Sequence, residues 1–579
     1  MFKNVYLKKY SSLVLSLVSG LLLVSAWPVS PFTFLIFAAW VPLLFIADHE
    51  TNRIRFFLFA LLSMFIWNAG TTWWIWNSTP PGAIAAIVAN SFLMSIPLWG
   101  YHIFKTKYGS NTGLVSFIVF WLSFEYIHLN WQLSWPWLTL GNVFATHTSW
   151  VQWYEFTGSS GGSLWVLLSN VFIFLLLKKK NSSSRLSIII ATVAILFIPV
   201  ALSYFVHLKT DIKSKGVTNV VIVQPNIDPY SEKFDVASTK GQIEKLIHLS
   251  EKNIDTNTRL VLWPETALPA AVWQDQLQQN FSYKPVFDFV NHHPNITLNT
   301  DIETRKNYGS EKATNTARKN DSDGTYKPVF DFVNRHPDIT LQTGIETRKN
   351  YGAEKATNTA RKNDSDGTYY DAFNAAITLK ANEPIQFYNK SKLVPGVETL
   401  PDFLLWLGPV FEKFGGTAGG YGHDKEAVAF KVAGNPYITA PVICYESIYG
   451  EYITNYIKKG ANLLTIMTND GWWANTPGHK QHLNYARLRA IETRKWIARS
   501  ANTGISAVIN SNGDIVETRP WDEAAAIKYS IPAIAGETFF VRNGEVIFKL
   551  ALFLTIVLLC YHFFYIIKKR FMLIKKKNR

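Results

Sequence analysis

Residues 440–446 read Ala-Pro-Val-Ile-Cys-Tyr-Glu, a β-rich apolar run that stops at a thiol and a carboxylate. Three other stretches share this form: Val217-Thr-Asn-Val-Val-Ile-Val-Gln-Pro-Asn226, Thr258-Arg-Leu-Val-Leu-Trp-Pro-Glu265 and Leu463-Leu-Thr-Ile-Met-Thr-Asn-Asp470. Each reads as a buried strand that ends in polar residues, and helix-like stretches separate them. That alternation predicts an α/β domain over residues 208–544, with its chemistry gathered at the strand ends.

On both sides of this domain the composition changes. Residues 1–207 are nearly all apolar or aromatic, and 545–579 are apolar and then basic. Apolar runs fall at about 11–29, 31–48, 56–75, 83–104, 114–129, 157–177, 186–206 and 546–567. A membrane-crossing helix needs about 20 such residues. The expected architecture is therefore a polytopic α-helical membrane bundle of about seven helices, then the α/β domain, then one last helix with a basic tail. A lysine-flanked first run could also be a cleaved signal peptide. Further spans follow at once and no small-x-small site is visible, which favours a retained helix.

The net charge of +15 suggests nucleic acid only until the charges are located. Arg53 and Arg55, Lys105 and Lys107, Lys178–Lys180 with Arg185, and the tail after the last run all fall in alternate loops or at the C-terminus. The intervening loops 79–82 and 131–141 carry no Lys or Arg. This asymmetry predicts cytoplasmic termini and an extracytoplasmic α/β domain, with Trp73, Trp74, Trp76, Trp131, Trp135 and Trp137 as an outer interfacial belt. No nucleic-acid partner is expected. The two cysteines, Cys444 and Cys560, lie in different environments and form no disulfide framework. Glu125 and His128, near the end of the fifth run, read either as a functional intramembrane pair or as a helix end at the interface.

Residues 283–325 recur almost verbatim at 326–368, differing only at His292/Arg335, Asn295/Asp338, Asn299/Gln342, Asp301/Gly344 and Ser310/Ala353. Two near-identical copies read as a recent tandem duplication or an assembly artefact, and not as a solenoid. Only the second copy runs directly into Tyr369-Tyr-Asp-Ala-Phe, so it is expected to hold the native position and the first to be looped out.

Three patterns carry candidate chemistry: WPET at 263–266, with Glu265; YNKSKLVPGVE at 388–398, with Lys390, Lys392 and Glu398; and ICYE at 443–446, with Cys444 and Glu446. A thiol becomes nucleophilic once a base removes its proton and a cation stabilises the charge. A carboxylate and a lysine supply both without histidine. Each residue alone has a duller reading, as core cysteine, solvated cap or exposed lysine. Their order, followed by TNDGWW at 468–473 and HLNYARLRAIETRK at 482–495, resembles the nitrilase superfamily and its Glu–Lys–Cys triad. With the membrane helices, PWLTLG at 136–141 and EFTGSSGGSLW at 155–165, the chain resembles the apolipoprotein N-acyltransferases, the superfamily's membrane-bound branch.

That resemblance implies a nitrilase-like α-β-β-α sandwich, with Glu265 as general base, Lys390 as oxyanion-stabilising lysine and Cys444 as nucleophile. It implies a supporting carboxylate at Glu398, places Tyr445 and Glu446 beside the nucleophile with the Tyr445 N–H in the oxyanion hole, and leaves Trp263 without a firm role. The sequence departs from the family at Val394-Pro-Gly-Val-Glu398, where a phenylalanine is commoner near Gly396. Lys392, two residues from Lys390, competes for its role. The implied reaction moves an acyl chain from a phospholipid through a Cys444 thioester to the amine of a diacylglyceryl-cysteine apolipoprotein. It needs no metal and no organic cofactor, and takes place at the outer face of a bacterial inner membrane, in the periplasm. The alternatives are a membrane-tethered amidase acting on a small amide and a non-catalytic receptor or transporter.

Overall fold

A computed structural model describes residues 2–178, 184–209, 214–235, 237–277, 327–408, 420–431 and 434–577. The first repeat copy, 283–325, lies outside the described residues. The helices of the apolar part are α1 (Phe2–Ala26), α2 (Val41–His49), α3 (Arg53–Thr72), α4 (Pro80–Tyr108), α5 (Ser110–Leu129), the single turn α6 (Tyr154–Thr157), α7 (Ser159–Lys178) and α8 (Arg185–Lys209). Among the described residues six helices, including the last one of the chain, are long and apolar enough to cross a membrane; Ser11–Ala26 and Thr33–His49 are shorter apolar helices. The second apolar run is not one span. It breaks into a 3-10 helix (Thr33–Phe37) and α2, which restarts on Pro42 at its first turn. Proline lacks the N–H that a helix interior must donate, but suits a helix start. The Trp40 N–H, freed at the break, donates to Asn170 Oδ1 on α7 at 2.8 Å.

Basic side chains converge at one end of the bundle. Asp48 pairs with Lys105 at 3.1 Å and Lys178 at 2.6 Å, and Lys107 sits 4.6 Å from the Tyr565 ring. The α/β domain is docked at the other end. The aromatic belt expected there is split. Trp73, Trp76 and Trp131 are exposed, but Trp74 and Trp137 are buried against Trp473. Glu125 and His128 are also buried, and not at a wet helix end. Glu125 accepts from Trp121 Nε1 and the Leu140 N–H, and His128 Nε2 meets Asn90 Oδ1 at 2.8 Å.

Among the described residues the α/β domain has fourteen strands in two sheets. The larger contains β1 (Ser214–Gln224), β2 (Thr258–Leu262), β3 (Leu268–Trp273), β4 (Thr340–Gly352), β5 (Arg361–Lys362), β6 (Tyr369–Leu379), β7 (Gln386–Asn389) and β14 (Ala525–Ile534). The smaller contains β8 (Phe430–Lys431), β9 (Ile438–Ile443), β10 (Leu463–Thr468), β11 (Ile497–Ala501), β12 (Ala507–Ile509) and β13 (Ile515–Thr518). In each the centre is parallel, β1–β2–β4 and β9–β10–β11, and the margins are antiparallel. Strands buried on both faces explain the near-continuous apolar runs of the sequence. The sheets face each other, with Gln342 spanning the gap: its Nε2 donates to Thr465 Oγ1 at 2.7 Å and its Oε1 accepts from Thr439 Oγ1 at 2.8 Å. Helices α9 (Thr239–Glu251) and α10 (Lys327–Arg335) cover the outer face of the large sheet. Helices α11 (Gly450–Lys458) and α12 (Pro477–Thr493) cover that of the small one. The nitrilase-like α-β-β-α sandwich is what the structure contains. The chain leaves it through α13 (Phe539–Asn543) and α14 (Val546–Lys577).

The second repeat copy supplies α10 and β4. Its Gly344 is indispensable in this register. A Cβ there would come within 2.5 Å of the Thr266 N, 2.7 Å of Glu265 Cα and 2.7 Å of the Pro264 O, all main-chain or Cα atoms.

Candidate active site

The C-terminal ends of β2, β7 and β9 meet at the edge of the sandwich nearest the membrane bundle. Glu265 follows β2 and is held by a backbone reversal, Thr266 having φ +44°. Its Oε1 accepts from Lys390 Nζ at 3.2 Å and from Asn374 Nδ2 at 2.8 Å, and its Oε2 from the Asn469 N–H at 3.1 Å. Lys390 Nζ also donates to Glu398 Oε1 at 2.9 Å, and Asn374 Nδ2 reaches the same oxygen at 3.1 Å. Glu398 Oε2 accepts the Val394 N–H at 2.8 Å, which closes the loop between the two carboxylates.

Burial raises the cost of every charge here, so the pairs decide the ionisation. Burial pushes the Glu265 carboxyl up, but the Lys390 charge, the Asn374 hydrogen bond and the Lys233 charge outweigh it and hold it below the usual range. Burial likewise works against the Lys390 ammonium, yet Glu398 and Glu265 hold it well above the ordinary lysine range. Cys444 goes the other way. Burial and then the Glu265 charge drive its thiol far up, with Lys390 opposing. The resting pair is a carboxylate and a thiol, the state from which a base removes a proton.

Cys444 opens a 3-10 helix (Cys444–Ile448) that follows β9 directly, and its φ is +48°. That conformation is costly for a residue with a Cβ, and two side chains hold it, backed by an ion pair. The Cys444 carbonyl accepts from Ser447 Oγ at 2.8 Å and faces His482 Nε2 at 3.1 Å. His482 Nδ1 is 2.8 Å from Asp470 Oδ1, and Asp470 Oδ2 accepts from Arg499 at 2.5 Å. Asp470, His482 and Arg499 are all fully buried.

Glu446 does not face the thiol. Its Oε1 accepts from Tyr388 Oη and the Ser391 and Lys392 N–H groups, and its Oε2 from the Ile443 N–H and Tyr456 Oη. It fastens the lysine loop to the nucleophile turn. The Tyr445 side chain points away, its Oη donating to the Ser134 carbonyl of the membrane part at 3.0 Å. Trp263 is buried on the outer face of the large sheet, its Nε1 donating to Ser250 Oγ at 2.9 Å. The two lysines part company because β7 ends at Asn389 and strand alternation stops there. Lys390 enters the site, whereas Lys392 Nζ lies 5.3 and 5.5 Å from the Tyr449 and Tyr452 rings.

Sequence reasoning passed over Asn374, Lys233 and the Asp470–His482–Arg499 cluster. Asp470 and His482 stand inside motifs singled out above without a role. Asn374 is one of three buried polar positions on β6, with Asp371 and Thr378, and nothing in the sequence sets it apart. Lys233, in the loop after β1, is 1% exposed and donates to the Glu265 carbonyl at 2.8 Å.

Two family models match parts of this chain. Residues 19–172 match the apolipoprotein N-acyltransferase N-terminal domain, and 338–537 match the carbon-nitrogen hydrolase domain. The apolipoprotein N-acyltransferase of Chlorobaculum tepidum is 29% identical, over 92% of this chain and 93% of its own. That of Haemophilus influenzae is 24% identical over 93% and 92% respectively. That of Thermotoga maritima is 33% identical over 32% of this chain and 36% of its own.

Proposed function

The chain belongs to the apolipoprotein N-acyltransferase family, a multi-pass membrane acyltransferase that N-acylates lipoproteins, and on that premise we propose that Glu265, Lys390 and Cys444 carry the transfer. The observation that supports this assignment is the lattice in which Lys390 bridges Glu265 and Glu398 while the charges of Glu265 and Lys390 act on the Cys444 thiol. Glu265 takes the thiol proton as sulfur attacks the ester carbonyl of a phospholipid. The Lys390 ammonium and the Tyr445 N–H, in the first turn of the 3-10 helix, stabilise the oxyanion. Collapse of the tetrahedral intermediate breaks the ester C–O bond. Glu265 returns its proton to the leaving oxygen, so a lysophospholipid departs and a thioester remains. The amine of a diacylglyceryl-cysteine then attacks the thioester. Glu265 removes the amine proton and passes it to the departing sulfur, leaving an amide and the free thiol.

Glu398 keeps Lys390 charged and aimed; Glu446 fixes the loop that carries it. The α/β domain lies on the periplasmic side of a bacterial inner membrane, with both termini cytoplasmic. The convergence of Lys105, Lys107 and Lys178 at the opposite end of the bundle supports that orientation. The test is mass spectrometry of the full-length protein incubated with phospholipid and no acceptor. One acyl mass on Cys444, released by neutral hydroxylamine and lost in Cys444→Ala, is expected. Transfer to a lipoprotein peptide by Cys444→Ala would overturn the covalent mechanism.

A further inference from the structure

We propose that Lys233 is a positioning residue of the acyl transfer, a second buried ammonium that balances the site's second carboxylate and so makes the Cys444 thiolate accessible; this rests on Cys444 being the nucleophile. The argument begins with charge. Glu265 and Glu398 share one lysine, Lys390, through the same two oxygens that Asn374 bridges. That set carries one uncompensated negative charge in a buried site. Forming a thiolate beside it adds like to like.

The other charged groups nearby are already matched. Asp470, the further anion acting on Cys444, is paired with Arg499 at 2.5 Å and with His482 at 2.8 Å. Glu346 on β4 is opposed by Arg348 and Arg361. Lys392 faces Tyr449 and Tyr452 and is opposed by the charges of Glu446 and Glu451. Among the described residues Lys233 is the cation left over. Its Nζ reaches the main-chain carbonyl of the catalytic carboxylate, and its charge acts on both Glu265 and Cys444.

A lysine does not end up buried here by accident of packing. Its own N–H donates to the Asp228 carbonyl at 2.9 Å. Gln242 Nε2 on α9 fastens the turn through the Glu232 and Lys233 carbonyls at 2.8 and 3.3 Å. On the membrane side Tyr230 Oη donates to the Asn77 carbonyl at 3.0 Å. The loop that presents Lys233 is thus clamped by both the sandwich and the bundle. Burial lowers the ammonium to about 8, with Glu265 and Cys444 opposing, so the charge is present at neutral pH.

The experiment measures the pH dependence of Cys444 alkylation by iodoacetamide in the full-length protein in detergent, with Cys560→Ala removing the other thiol. A nearby charge moves a pKa by about 1–3 units. Lys233→Met should slow the pH 7 reaction about tenfold, with the gap to the parent closing above about pH 8 where Lys233 loses its charge, and Lys233→Arg should restore most of the rate. The decisive variant is Lys233→Met with Glu398→Gln. Removing one charge of each sign restores the balance, so the pH 7 rate should return toward that of the parent. If Lys233→Met melts like the parent and its pH 7 rate is unchanged, the proposal fails. It also fails if the double variant shows the two single losses added, which is what a purely structural lysine would give. Absence of alkylation in the parent at every pH would instead overturn the assignment of Cys444.

Discussion

The tandem repeat allows a direct test of how the site is built. Deleting 283–325 joins Ser282 to Tyr326 and leaves the copy that forms α10 and β4. Deleting 326–368 joins Thr325 to Tyr369 and forces the other copy into the same place, with His, Asn and Asp where Arg335, Gln342 and Gly344 stand. The two products have equal length and differ at five positions, so loop entropy cancels between them. The structure weights the differences unequally. Arg335 loses only an exposed ion pair with Glu251, worth about 0–1 kcal/mol. Asparagine at 342 is one methylene short of bridging the sheets and leaves the Thr439 hydroxyl without its acceptor, while Thr465 keeps its bond to the Ala440 carbonyl; an unsatisfied buried group costs about 1–3 kcal/mol.

Aspartate at 344 matters most. Its Cβ would sit 2.5 Å from the Thr266 N, and ordinary contact requires the chain that carries Glu265 to retreat by about 1 Å, a displacement worth about a hundredfold in rate at an active site. Its charge would add a carboxylate beside Glu265. The expected sum, on the order of 3–8 kcal/mol, rivals a whole domain's stability of about 5–15 kcal/mol. The assay is thermal melting and thioester yield of both deletions in detergent. The 283–325 deletion should match or exceed the parent in both. The 326–368 deletion should fail to fold or give no thioester, and Asp301→Gly with Asn299→Gln in that background should rescue it. Equal behaviour of the two deletions would refute the reasoning.

Lys390→Ala should slow thioester formation by about a hundredfold or more, while Lys392→Ala, whose ammonium faces two tyrosine rings, should change it only a few-fold. The pH profile of thioester formation should have its acid limb below about 4.5, because Glu265 must be ionised and Lys390 holds its carboxyl below that ordinary value. The alkaline limb should fall near 8 as Lys233 loses its proton, since a neutral lysine no longer offsets the anionic site; Lys233→Arg should carry that limb upward. Trp263→Phe should cost about 1 kcal/mol through the lost Ser250 bond and leave the rate per folded molecule unchanged. A reporter fused after Arg185 should read cytoplasmic and one inside 208–544 extracytoplasmic; a cytoplasmic signal from the latter would overturn the orientation.

Local sequence pattern carried the strands well. The quoted runs became β1, β2, β9 and β10, each ending within a few residues of its polar terminus, because a strand buried on both faces has a one-dimensional signature. The stretch 482–495 was legible as a helix but not as to its surroundings. Arg489 and Glu492, on what reads as a solvent face, are buried and paired at 2.7 Å, because the membrane part covers the side of α12 that the sheet does not. Trp74 and Trp137 left the expected belt for the same reason. Such burial depends on residues hundreds of positions away, which no periodicity records. Lys233 was missed because its value is a charge count over a site assembled from five separate segments.

The docking of α12 carries a consequence for how this enzyme is made. Gln481 Nε2 donates to the Pro28 and Thr71 carbonyls, Trp27 Nε1 to Tyr485 Oη, and Tyr485 Oη to the Trp137 carbonyl. Arg494, just past the helix, grips Gln152 and Glu155. During synthesis the segments bearing Pro28, Thr71 and Trp137 are inserted long before α12 exists. Until then the Pro28 and Trp137 carbonyls lack the partners that α12 brings and the aromatic socket stays open, while more than three hundred further residues are made. The membrane part of an unfinished chain therefore lacks its final packing, and the arrival of α12 is the event that completes it.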